Sequence, residues 1–198
     1  GTETVATGGV WTGGGGTYTP SNNILNPVYT PTAAELTAGS VVLTLTTTGN
    51  GICNPVSDNM LITFSPSPTA NAGPDQTKCG NNAATTLAGT ITVATGGLWT
   101  GGGGGFAPSA TALNAVYTPT AAEILSGSVT LTLTTTGNGT CNQVSDQMTI
   151  FFSAPPTANA GPDQTKCANN AATTLAGSVT VATGGQWTGG LGIFTPNN

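Results

Sequence analysis

Ser128-Val129-Thr130-Leu131-Thr132-Leu133-Thr134-Thr135-Thr136 places an apolar side chain at every second position. In an extended chain successive side chains point to opposite faces, so Val129, Leu131 and Leu133 share one face and Thr130, Thr132 and Thr134 the other. This is the pattern of a strand with one buried face and one polar face, and threonine, being β-branched, suits the pleated outer surface. Gly137-Asn138-Gly139 follows and reads as a turn. Beyond it Val144, Met148, Ile150 and Phe152 define the inward face of another strand, roughly 143–153. Upstream, 85–93 carries Leu87, Ile91 and Val93, and 114–118 carries Val116 and Tyr117. Short strands of this kind, set off by Gly and Pro turns and about seven in number, predict an antiparallel β-sandwich.

The same stretch occurs earlier as Ser40-Val41-Val42-Leu43-Thr44-Leu45-Thr46-Thr47-Thr48, 88 residues away. Trp11, Trp99 and Trp187 keep this spacing, as do Cys53 and Cys141, and Cys79 and Cys167. Residues 1–110 align without a gap on 89–198, with about 80 identities. A period of 88 is too long for a helical hairpin and fits one small sandwich. Pro-rich linkers at 65–68 and 154–156 each precede the same phrase, and proline makes them stiff and extended. The expected organisation is a partial repeat at 1–66, a complete one at 67–154 and a second partial one at 155–198, joined end to end. Both termini match mid-repeat positions, so the sequence reads as a window from a longer polypeptide.

Thr120-Ala121-Ala122-Glu123 reads as a capping box opening one helical turn, with Gly127 ending it; Thr32, Glu35 and Gly39 repeat the device. Glu35 and Glu123 are thereby assigned structural roles. Trp11, Trp99 and Trp187 follow the first buried strand, where an immunoglobulin-like sandwich has its core tryptophan. Exposed, they would instead offer stacking surfaces for sugar.

Each repeat has two cysteines. Cys79 with Cys141 and Cys53 with Cys79 are both periodic pairings, so the period does not choose between them. Cys141 lies near the turn that begins the last strand, and reaching Cys167 would mean bridging a repeat length, far beyond the Cα limit of about 7 Å. The expected bond is Cys79–Cys141, with Cys53 and Cys167 pairing outside the window. Closing that loop would stabilise by about 4 kcal/mol in the chain-entropy model. Disulfides imply an oxidising, extracellular setting.

Only 5% of residues are charged, with two Lys or Arg, no His, and a net charge of −5. No basic footprint for nucleic acid exists, and no apolar run is long enough to cross a membrane. No CxxC or His supports zinc, and no Lys-Ser/Thr follows the glycine tract at 101–105, so it is not a phosphate loop. That tract is expected to be a tight strand connection with close backbone approach. Asp75 and Asp146 remain as candidate calcium ligands or, in the case of Asp146, as a group needing Lys78 or backbone amides. No catalytic residue and no cofactor is expected.

The phrase Ala70-Asn71-Ala72-Gly73-Pro74-Asp75-Gln76-Thr77-Lys78-Cys79 resembles the opening of PKD-like and related Ig-like repeats. Trp99-Thr100 with its glycines, the stretches 113–123 and 132–141, and Val144-Ser145-Asp146-Gln147-Met148-Thr149-Ile150 resemble the repeats of giant surface adhesins of gliding bacteria, of the SprB type. The resemblance covers the whole sequence. It implies an extracellular filament, exported by a type IX system, that moves along the cell surface and serves gliding motility. Valency would multiply many weak contacts with a surface polysaccharide or an abiotic surface, with self-association into filaments a further expectation. A purely structural sheath and a carbohydrate-binding array are the alternatives.

Overall fold

The computed structural model describes residues 5–195. The chain divides into two compact units. One holds the residues up to Thr69 together with the turn Gly137–Gln143; the other holds Ala70–Thr136 and the residues from Val144 onward.

In the first copy of the repeat the elements are β1 (Gly8–Thr12), β2 (Thr17–Thr19), β3 (Val28–Thr30), α1 (Ala33–Ala38), β4 (Ser40–Thr48) and β5 (Ser57–Thr63). The sheet order is β1-β4-β5, with β2-β3 as a separate pair. Trp11 lies opposite Leu45, and Leu43 opposite Met60.

The second copy runs through β6 (Thr69–Asn71), β7 (Gln76–Cys79), β8 (Thr85–Thr86), β9 (Thr90–Thr92), β10 (Gly96–Thr100), β11 (Gly105–Ala107), β12 (Val116–Thr118), α2 (Ala121–Ser126), β13 (Ser128–Thr136) and β14 (Ser145–Ser153). Four strands form one sheet in the order β10-β13-β14-β7. Three form another, β11-β12-β8, and β6 pairs with β9. One core joins the two larger sheets: Trp99, Leu131, Leu133, Met148 and Ile150 from the first meet Tyr117, Ala115 and Leu87 from the second or its flanks. Two facing sheets of four and three strands with a shared core make an immunoglobulin-like sandwich. β15 (Thr157–Asn159) and β16 (Ser178–Thr180) pair in the last copy, with a 3-10 turn at Ala168–Asn170 between them.

The period-two reading of 128–136 matches β13 residue for residue, and Thr135 continues its buried face. The expected strand at 85–93 is instead broken into β8 and β9, which belong to different sheets. Gly89 lies at the break. Its N–H donates to Leu113 O at 3.0 Å, and a Cβ there would stand 2.8 Å from both Leu133 Cδ2 and Trp99 Cζ2. The backbone passes so close to the core at this point that the strand crosses from one sheet to the other.

The expected Cys79–Cys141 bond does not form; all four cysteines are unpaired. Strand direction is the reason. β7 runs parallel to β14 and sets Cys79 opposite Ser153, the last residue of β14. Cys141 sits in the turn before Ser145, the first residue of that strand. At about 3.3 Å per residue β14 spans roughly 27 Å, and the four residues from Cys141 to Ser145 reach at most about 14 Å. The shortfall exceeds the Cα separation a disulfide tolerates. Reading every strand as antiparallel hides this, because it lets the two ends of β14 exchange places.

Candidate functional site

Acid chemistry would need free carboxylates, and in both helix caps the carboxylate is engaged. Thr120 is extended at φ −75°, ψ 161°, and caps α2; Gly127 ends the helix in the left-handed region at φ 87°. The Thr120 hydroxyl accepts from Glu123 N, and Glu123 Oε2 accepts from Thr120 N at 2.7 Å and from its hydroxyl at 2.9 Å. The other carboxylate oxygen reaches outward. Glu123 Oε1 accepts from Gly103 N at 2.6 Å and from the Tyr117 hydroxyl at 2.8 Å, while that hydroxyl accepts from Gly104 N at 3.0 Å. The first copy repeats the arrangement with Glu35, Thr32, Gly15, Gly16 and Tyr29.

A four-fold acceptor of this kind is held in its charged form. Burial opposes ionisation of Glu123, but the amides of Thr120 and Gly103 and the Tyr117 hydroxyl outweigh it and pull its pKa down. Glu35, led by the Thr32 amide, is lowered to about 2. Tyr117, buried and donating to Glu123, is raised to about 12. The arrangement fastens the glycine tract to the helix cap, and it suits neither acid nor base catalysis near neutral pH, since each group is driven away from that range.

The tract is glycine for a local reason. Gly101 and Gly102 have φ of 93° and 67°. A Cβ on Gly102 would overlap the Tyr117 hydroxyl, and one on Gly104 the carbonyl of Thr118. The sequence marks both the cap and the close approach; the structure joins them into one motif through Tyr117. The signal was available in the fixed spacings from Gly103 to Tyr117 and Glu123, which Gly15, Tyr29 and Glu35 repeat.

Asp146 Oδ2 accepts from Ala72 N at 2.8 Å, and Asp75 Oδ1 accepts from Thr149 N at 2.7 Å. The two carboxylates therefore clip the segment before β7 to β14 from both sides. The Ala72 backbone amide, rather than Lys78, is the partner seen for Asp146. Among the described residues no three His, Cys, Asp or Glu side chains come together as a metal site.

Trp99 is 1% exposed, and its Nε1 donates to Leu113 O at 3.3 Å. Its ring has no free face. Trp187 is half-buried beside an open groove with Ala158, Gly177, Val179 and Gly185. The corresponding position in the second copy is filled, since Gly89, the counterpart of Gly177, has Leu133 and Trp99 against it.

What faces solvent instead is a hydroxyl and amide ladder. Thr130 pairs with Thr149 through their hydroxyls at 3.2 Å, and Gln147 Nε2 donates to Thr132 Oγ1 at 3.2 Å. In the first copy Thr44 donates to Asn59 Oδ1 at 2.7 Å, and Thr46 meets Ser57 at 2.8 Å. The Thr132–Gln147 and Thr44–Asn59 rungs stand at the same register, whereas the place of Thr130 and Thr149 is taken in the first copy by the exposed Val42 and Leu61; the polar rungs are the candidate contact surface.

No family model matches the chain, and no curated protein does. Solved structures give distant similarities. Protocadherin gamma B2 extracellular cadherin domains 3–6 share 12% identity over 80% of this chain and 44% of that one, with a TM-score of 0.34. Drosophila N-cadherin EC1-4 shares 8% over 74% and 41%, with a TM-score of 0.39. Mouse cadherin-23 EC22-24 shares 11% over 77% and 56%, with a TM-score of 0.32. The chain thus spans about half the length of these structures or less. At such scores the similarity adds no weight to the fold, which stands on sheet order and core packing.

Proposed function

We propose that this chain is a segment of a long extracellular surface fibre, built of tandem Ig-like repeats of 88 residues with units at 1–66, 67–154 and 155–198. It acts without catalysis, in attachment to surfaces and in gliding motility. The observation that carries the reading is the exposed polar rung Thr132–Gln147 on β13–β14, which the 88-residue period presents again as Thr44–Asn59 on β4–β5 at the same strand register. Each ladder offers weak, uncharged contacts suited to a polysaccharide or an abiotic surface, and repetition raises their combined strength. The acids support the same reading, because Glu35, Glu123, Asp75 and Asp146 are engaged with backbone amides. Burial of Trp99 weighs against an aromatic glycan-stacking site in the complete repeat.

The test is to shorten the array in whole 88-residue steps in the cell that makes it. Graded loss of attachment and movement is expected. Full function from a single repeat would overturn the reading, and a loss of cell-envelope integrity with attachment intact would favour a structural sheath.

A further inference from the structure

The two cysteines of the complete repeat mark its two ends. Cys79 closes β7 opposite Ser153, and the chain then leaves through Ala154 and Pro155. Gly80 N–H donates to Ser153 O at 2.9 Å, and a Cβ on Gly80 would come within 3.3 Å of Pro155 Cδ. The loop bearing Cys79 therefore abuts the outgoing linker. At the other end the Cys141 thiol donates to the carbonyl of Pro66, in the incoming linker, at 3.6 Å. Both cysteines are partly exposed. Neither can reach the other, because the length of β14 lies between them. Each repeat thus carries one accessible thiol beside the linker by which the chain arrives and another beside the linker by which it leaves.

We propose that the outgoing-end cysteine of one repeat, Cys79 or its counterpart Cys167, is bonded to the incoming-end cysteine, of the Cys141 and Cys53 type, of a different copy of the repeat. The disulfides of the array then clamp junctions rather than closing single repeats. This rests on the reading of the chain as a tandem fibre. The other copy is the following repeat of the same polypeptide or a repeat of a second chain; the thiol chemistry is the same. Two S–H bonds break and one S–S bond forms. The two protons and two electrons pass to the disulfide of a thiol–disulfide oxidoreductase, which departs as a dithiol. Tension along the fibre would then cross each proline linker through a covalent bridge as well as through the main chain.

The lysines make a clean test. Lys78 and Lys166 are the only Lys or Arg residues, so trypsin releases the 88-residue piece 79–166, which contains both Cys79 and Cys141. The protein is taken from the cell that makes it, its free thiols are alkylated before lysis, and it is denatured and digested without reductant. Junction bonds join each such piece to another, so the digest runs as a ladder that collapses to single 88-residue pieces on reduction. Single pieces two mass units lighter than their reduced form would mean a bond within one repeat and would overturn the proposal. Single pieces carrying two alkyl groups would also overturn it. Before digestion, a non-reduced chain at its own mass assigns the bonds to successive repeats of one polypeptide, and reducible multimers assign them to separate chains. Failure of the ladder would leave the loss of attachment on shortening the array untouched, so the two readings fall separately.

Discussion

The first and second copies of the repeat share most of their sequence and differ in what covers it. In this sequence the first copy starts at the counterpart of Gly89, whereas the second is preceded by β6, β7 and β8. The hairpins are alike. Gly8–Thr12 pairs with β4 as Gly96–Thr100 pairs with β13, residue for residue, and the β4–β5 and β13–β14 registers coincide. Burial is not alike. Met148 is 1% exposed and Met60 45%; Leu133 is fully buried and Leu45 is not; Asp146 holds Ala72, while Asp58 accepts from its own neighbour Asn59. Register is therefore written locally, in turns and cross-strand pairs, while the core is completed by a segment distant in sequence.

Removing Trp99 should break this contrast most severely. Trp99→Ala should cost about 3–5 kcal/mol through the cavity it leaves. In the isolated 198-residue chain Trp11, half-buried on the same register, should cost only about 1 kcal/mol on the same substitution, in proportion to the area it hides. Denaturant midpoints of the two variants measure this, and equal shifts would mean that the covering segment contributes nothing at the tryptophan.

The carboxylate node should behave in the opposite way, equally in both copies, because every partner lies inside the hairpin and helix. Gly102→Ala and Gly14→Ala each drive a methyl into a tyrosine hydroxyl at a positive φ and should each destabilise by about 2–3 kcal/mol. Gly103→Ala should stay within about 0.5 kcal/mol, since its Cβ would sit an ordinary 3.7 Å from Thr120 Cγ2. Thermal melting of the three variants decides it.

Acid should release the same node. A carboxylate whose pKa is depressed by folding contributes stability that is fully present above its unfolded value, near 4.5, and is lost as pH falls toward the folded one. For Glu35 that window runs from about 4.5 down to about 2, and Glu123 shifts in the same direction. Unfolding midpoints of the wild type should fall across this window. Glu35→Gln and Glu123→Gln should be less stable at neutral pH and should show a shallower fall, and an unchanged slope in both would remove the node from the acid response.

These contrasts also show what the sequence disclosed. The alternation in 128–136 specified β13, and Thr120 with Glu123 specified the cap, because each signal is complete within a few residues. The direction of β7 was not legible. A four-residue strand, Gln76–Cys79, carries no mark of whether its neighbour runs with it or against it, and the choice is made by β14, some 70 residues later. The cysteine pairing inherited that ambiguity. The division of 85–93 into β8 and β9 was equally hidden, since the contact that requires Gly89 comes from Leu133 and Trp99. The polar ladder lay between these cases: its outward threonines were legible from alternation, its cross-strand partners only once the register was known.

The smallest expected effect concerns Val93, which has φ 64° although it is β-branched. Ala94 N–H donates to Thr92 O at 2.7 Å across it, which makes a three-residue turn. Val181 has φ 66° and the same bond from Ala182 to Thr180. The two copies share this backbone although Val93 follows a strand of the complete repeat and Val181 lies in a segment where the neighbouring residues are exposed. The kink is therefore local, like the node and unlike the core. A left-handed conformation costs an L-residue about 1–2 kcal/mol, and glycine avoids that cost while giving up about 0.5–1 kcal/mol of chain entropy. Val93 is 53% exposed, so little burial is lost on truncation. Val93→Gly should consequently stabilise by up to about 1 kcal/mol, read as a raised denaturant midpoint with unchanged slope. A destabilised variant would show that the valine side chain contributes packing that outweighs its backbone strain, and would move this turn from the locally determined features to those that depend on the rest of the repeat.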